Sequence, residues 1–113
     1  MFVYKVCAAP LWREAERTGS FRGAAIDLQD GYIHLSTATQ VAETLAKHFA
    51  GQTGLLLIEV DTARLGEALK WEPSRGGALF PHLYGVLDPA AVTRVVPLSL
   101  DAQGHHILPP LDA

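Results

Sequence analysis

Cysteine is almost missing from this chain: Cys7 stands alone, which excludes an internal disulfide scaffold and a cysteine-based structural zinc site. Its place in an apolar, strand-like stretch predicts a thiol that serves as packing in a reducing compartment. No apolar run approaches the ~18 residues that a bilayer crossing needs. The first residues lack the basic start and apolar stretch of a signal peptide, so no membrane association and a cytoplasmic location are expected. Basic runs are absent too. Nine Lys and Arg against twelve Asp and Glu give a formal charge of -3, too little cationic material to neutralise the phosphates of duplex nucleic acid. The five histidines show no H-x-H, H-x-x-x-H or H-E-x-x-H spacing, and His105 and His106 are adjacent in the C-terminal tail. No metal is therefore expected. Nucleophile-elbow, P-loop and dinucleotide-fingerprint motifs are also missing.

What is present is apolar material: 49% of the 113 residues are hydrophobic and 19% charged, enough to build one core in one domain spanning 1–113. Residues 2–7 read as a strand. A helix follows from Pro10 to Gly19, with Leu11, Trp12 and Ala15 on one face. Residues 20–30 show no period and read as a surface loop. Residues 32–36 form the next strand, leading directly into a helix opened by Thr37-Ala38-Thr39-Gln40, a T-x-x-Q capping box, and closed near Gly51. The unbroken run Leu55 to Val60 has the look of a central strand buried on both faces. A capped helical turn at 61–65, a short strand at 68–71 stopped by Pro73, an irregular segment to Gly85, a capped short helix at 88–91 and a last strand at 92–98 with Val95 and Val96 in the core complete the order. That order predicts an α+β fold with a mixed, mostly antiparallel sheet and two main helices.

Two stretches carry polar chemistry. Period-two alternation puts Tyr32, His34 and Ser36 on one face of their strand, leading to the spare backbone N–H groups expected at Thr37. An imidazole and a hydroxyl beside such an end suit an anionic, ribose-bearing ligand; a core histidine and a simple cap are the structural alternative. In the second stretch Pro81 and Gly85 bracket His82, with Phe80 and Tyr84 offering flat faces to a ring-shaped ligand. The costly pair Gly76-Gly77 favours a loop that a ligand approaches closely. Glu72 suits a ribose hydroxyl or a developing oxocarbenium ion, and Arg75 and Lys5 suit phosphates. Glu72 pairing with Arg75 at the surface, and Lys5 guarding a sheet edge, are the corresponding structural readings. Glu59, inside the central run, is a buried carboxylate candidate.

The segments VYKV, DGYIHLSTATQV and above all WEPSRGGALFPHLYGVL closely resemble the bacterial family catalogued as domain of unknown function 952, over nearly the whole chain. That family resembles the ADP-ribosyltransferases in fold, which implies a split, mostly antiparallel sheet with an NAD-binding cleft. Carried over by position, the resemblance implies an early site residue at Lys5, a middle one at His34 with Ser36, and a late one at His82 or Glu72. Lys5 departs from the usual His or Arg, and no clear catalytic Glu motif is visible. The combined expectation is a nucleotide-like small-molecule ligand, NAD or an ADP-ribose derivative, taken as substrate with no required cofactor. His34, His82 and Glu72 are the expected catalytic residues, with Lys5, Tyr32, Ser36, Thr37, Arg75, Phe80 and Tyr84 in binding. The alternative is a non-enzymatic module that grips a peptide or protein with the Gly76 to Gly85 loop, which requires an exposed apolar patch at Leu79, Phe80 and Leu83.

Overall fold

The structure is a computed structural model that describes residues 1–74 and 76–113; Arg75 lies outside the described residues. Strand β1 (Phe2–Ala8) runs into helix α1 (Ala9–Thr18), followed by α2 (Ala25–Asp30), β2 (Ile33–His34), α3 (Val41–His48), β3 (Leu55–Asp61), β4 (Leu69–Ser74), β5 (Ala78–Leu83) and β6 (Val92–Leu98). The described strands form two antiparallel three-stranded sheets, ordered β1-β3-β6 and β2-β5-β4. An α+β architecture is thus observed, with three α-helices among the described residues rather than two. None of the described helices is long and apolar enough to cross a membrane.

The expected central strand is β3, paired on both sides and buried from Leu55 to Val60. Its alternation with β1 splits the core. Val3 and Cys7 share a face with Leu56, Ile58 and Val60, packed with Trp12 and Ala15 of α1 and with Ile33, Leu35 and Leu83. Tyr4 and Val6 share the other face with Leu55 and Leu57, covered by Val41 and Leu45 of α3. Val95 and Val96 are half-buried against the two clusters.

A join between the sheets creates the site. The Tyr4 N–H donates to the Ser36 carbonyl at 2.8 Å and the Ser36 N–H to the Tyr4 carbonyl at 2.9 Å, while the Leu35 N–H donates to the Pro81 carbonyl at 3.0 Å. The chain after β2 therefore stitches β1 of one sheet to β5 of the other.

Four expectations need correction. Residues 25–30 are a helix, α2, not a loop: Asp27 accepts the Ala24 N–H at 2.8 Å, an acid in the first turn tying back the entering chain. Gly31, at φ +87, then turns the chain out and donates its N–H to the Asp27 carbonyl. Second, the irregular segment is a hairpin, β4 and β5, whose prolines sit where their missing donors cost little. The Pro81 carbonyl accepts from Leu35, so its nitrogen faces the chain just after β2 and not β4, where Trp71 is its registered partner. Third, Pro73 does not stop β4, because β4 is an edge strand and alternation turns position 73 outward. Fourth, α3 starts at Val41, not Thr37: the Thr37 N–H donates to Gln40 Oε1 at 3.0 Å, so only the backward half of the capping box forms, ahead of the helix.

Candidate functional site

β2 and β5 bring the two key histidines together. His34 and His82 are registered partners, so their side chains leave the same sheet face, with ring centroids 5.5 Å apart at an interplanar angle of 68°. Alternation adds Phe80 from β5 and Glu72 and Ser74 from β4 to that face. Tyr32 closes over the pair: its ring stacks on His82 at 4.2 Å, with 4.7 Å to His34 and 5.1 Å to Tyr84.

Each histidine is pinned by a carboxylate through Nδ1. His34 Nδ1 lies 2.6 Å from Asp27 Oδ1, which also accepts the His34 backbone N–H at 3.0 Å. The other oxygen of Asp27 receives Lys5 Nζ at 2.8 Å. Burial pushes this carboxyl up, but the His34 hydrogen bond and the Lys5 charge outweigh that and hold it down at about 2. His34 Nε2 meets a second acid, Asp30 Oδ2, at 2.9 Å. His82 Nδ1 lies 2.8 Å from Glu72 Oε1, which also accepts the Tyr84 hydroxyl at 2.7 Å. Those two donors lower the Glu72 carboxyl below the usual range, and the same bond pushes the Tyr84 hydroxyl up to about 12. Burial, with Asp30 and Glu72 nearby, raises the Tyr32 hydroxyl as well.

Beside the pair opens a cavity of about 560 Å³, within the range of small-molecule sites. Lys5, Asp30, His34, Ser36, Thr44 and His82 give it polar wall, and Val6, Ile26, Leu35, Phe49 and Phe80 give it apolar wall. Ser36 Oγ and Thr44 Oγ1 are 2.8 Å apart. The structure thus gathers Lys5, His34, Ser36, Phe80 and His82 around one space, with Tyr32, Glu72 and Tyr84 in contact with the two histidines. Thr37 stands apart, since Gln40 takes its N–H, and Arg75 lies outside the described residues. Lys5 lines the space, yet its ammonium is bonded to Asp27 and to the His34 carbonyl at 3.1 Å. Phe80 and Leu83 are buried, so of the three residues in the expected interaction patch only Leu79 is exposed.

Glu59 belongs to a different assembly. It accepts from Tyr4, Thr93 and Arg94; burial raises its carboxyl, but these donors bring it below the usual range. Tyr4 also donates to the Asp112 carbonyl at 2.6 Å and Arg94 to the Pro110 carbonyl at 3.0 Å. Glu59 is the knot that holds the C-terminal tail against β3.

Sequence reasoning missed Asp27 and Asp30, because it placed both in a loop. The signal was available in their spacing: they stand seven and four residues before His34, with Gly31 between to turn the chain.

Comparison with known proteins places this geometry among relatives. The chain is similar to protein CC0527 from Caulobacter crescentus. Against the X-ray crystal structure of that protein the identity is 50% and the TM-score 0.91, over 95% of this chain and 94% of that one. Against its solution NMR structure the values are 51% and 0.83, over 92% and 90%. No curated protein matches the chain. A family model described as "Protein of unknown function (DUF952)" matches residues 6–95, a span that contains every site residue from Asp27 to Tyr84, and the chain belongs to that family.

Proposed function

We propose that the cavity binds an NAD-type nucleotide, or an ADP-ribose derivative, and that the histidine pair serves cleavage or transfer at its ribosyl centre, with NAD as the substrate and no catalytic metal. The observation that carries this reading is the His34–His82 pair, flanked by carboxylates at the wall of a cavity of about 560 Å³. Departure of nicotinamide from ribose builds positive charge, which fixed carboxylates stabilise without covalent help. Asp30 and Glu72 supply that negative field from either side of the pair. Phe80 gives the cavity an aromatic wall for a ring. Lys5 has three N–H donors and spends two within the fold, so the third serves a ligand oxygen. The presence of two sheets bridged at Tyr4 and Ser36 supports the reading, since a split sheet is what the ADP-ribosyltransferase resemblance leads one to expect.

The test is incubation with NAD and chromatographic measurement of nicotinamide, alongside calorimetry with NAD, ADP-ribose and nicotinamide. Wild type releases nicotinamide, while His34→Ala and His82→Ala lose release with melting temperature retained. Absence of both heat and turnover at millimolar ligand, or equal turnover by all three proteins, overturns the reading.

A further inference from the structure

The two histidines are pinned alike at Nδ1 and differ at Nε2, and that asymmetry divides their roles. Asp27, with a side chain only 1% exposed, holds His34 from one side, and Asp30 faces its Nε2 at 2.9 Å. Glu72 holds His82 at Nδ1, and among the described residues no hydrogen bond is made by His82 Nε2. A ring nitrogen beside a carboxylate makes a hydrogen bond only as N–H. His34, with a carboxylate at each nitrogen, is therefore built to carry two N–H donors, whereas His82, with one, is built to keep a lone pair on Nε2. Both rings line the same cavity. The other groups facing them are the Tyr32 ring, stacked on His82 and tilted against His34, the Tyr84 hydroxyl on Glu72, and Lys70, the register partner of His82 on β4.

We propose that His82 is the proton acceptor of the site and His34 its standing hydrogen-bond donor, with Asp27, Asp30 and Glu72 as the positioning residues that fix this division. The assignment deepens the ribosyl-transfer reading and rests on it for the identity of the substrate. In that reaction the bond between ribose C1′ and the nicotinamide nitrogen breaks, its electron pair stays on nitrogen, and nicotinamide departs neutral. The acceptor, water or another hydroxyl, forms the new bond to C1′, and its proton passes to His82 Nε2. His34 gives up no proton. It donates a hydrogen bond to a ligand oxygen that reaches Nε2–H alongside Asp30, which is a third exposed in the cavity wall. Opposed environments for two neighbouring titratable groups are the general means of separating such tasks.

The experiment is a nitrogen-15 to proton long-range correlation spectrum of the imidazoles in the ligand-free protein near neutral pH, assigned with His34→Gln and His82→Gln. His82 is expected as the Nδ1–H tautomer with an unprotonated Nε2, and His34 with protons on both nitrogens. Asp30→Asn removes the Nε2 proton from His34 and leaves the His82 pattern unchanged; Glu72→Ala, which takes away the Nδ1 acceptor, disturbs the His82 pattern and leaves that of His34 unchanged. An Nε2–H tautomer at His82, or a bare nitrogen on His34 in the wild type, overturns the assignment, and the wild-type spectrum decides this even where a variant fails to fold. No ligand is involved. Failure to bind or turn over NAD thus removes the substrate reading and leaves the nitrogen pattern standing, while the wrong nitrogen pattern removes the role division with NAD turnover intact.

Discussion

Lys5 and Asp27 meet at 2.8 Å with their side chains 6% and 1% exposed, so a β1 side chain and an α2 side chain form an ion pair almost entirely out of water. The pair sits directly behind His34, and Asp27 accepts from Ala24, Lys5 and both the backbone and the ring of His34. Four donors on one carboxylate repay its burial, and removing the acid leaves an ammonium stranded. Asp27→Ala is therefore expected to cost about 3–5 kcal/mol, measured by urea denaturation.

The same carboxyl governs acid stability. Its pKa falls from 3.8 unfolded to about 2 in the fold, so the folded state binds its proton less readily. The contribution is complete above the unfolded value, is lost as pH drops from about 4 towards 2, and amounts to about 2 kcal/mol. Wild-type stability should fall steeply across that window, and Asp27→Asn should flatten the fall. An unchanged slope in the variant contradicts the assignment.

Gly23 is the backbone position on which this arrangement leans. Its φ is +118, and a Cβ there would lie 2.7 Å from the Asp27 Cβ, an atom fixed by the helix backbone. Gly23→Ala combines left-handed strain with a collision and should cost about 2–4 kcal/mol. Gly19, at φ +84 with open space around it, is the control. Gly19→Ala should cost about 1 kcal/mol. Equal losses in thermal melts of the two variants would show that the contact with Asp27 does not matter.

Much of the fold was legible because strands leave strong local marks: the apolar run 55–60 became β3, and β1 and β6 fell where the β-branched residues stand. The short α2 was not legible. Six residues with Ile26 and Leu28 exposed bury only Asp27, so the helix presents no apolar period and is held by one carboxylate. The hairpin β4–β5 was hidden by its prolines and glycines, which read as breakers unless one knows which backbone groups face a neighbouring strand. For the site, alternation alone placed Tyr32, His34 and Ser36 on a common face, and the Pro81–Gly85 bracket singled out His82. That the two stretches pair across β2 and β5 is a long-range fact with no local signature, whereas Asp27 and Asp30 stood within seven residues of His34 and were missed with the helix that carries them.

Cys7 lies buried between Leu56 of β3 and the packing of α1. Burial pushes its thiol up to about 11, with Lys5 lowering it and Asp27 raising it by lesser amounts. A thiol that is both uncharged at neutral pH and shielded does not attack electrophiles. Iodoacetamide should leave the native protein unmodified over hours and alkylate it completely in denaturant, as read by mass spectrometry. Rapid native labelling would contradict the packing role.

The Glu72–Tyr84 contact offers a spectroscopic handle on the outer side of the site. Tyr84 is 44% exposed, and an exposed phenol ordinarily ionises near 10. Its hydroxyl, donating to Glu72 Oε1, is instead pushed up to about 12, because loss of the proton would set two anions 2.7 Å apart. Glu72→Gln removes that repulsion and keeps an acceptor for the hydroxyl, so one tyrosine should return towards the ordinary value. Ultraviolet titration should then show an additional tyrosinate in the variant below about pH 11, with Tyr84→Phe abolishing the difference between the two proteins. Because His82 Nδ1 shares the same carboxylate oxygen, removing that oxygen altogether in Glu72→Ala should change the tyrosine shift and the His82 tautomer together. A shifted tyrosine beside an unaltered His82 would mean that the two bonds are independent, and Glu72 would then hold Tyr84 without orienting the histidine.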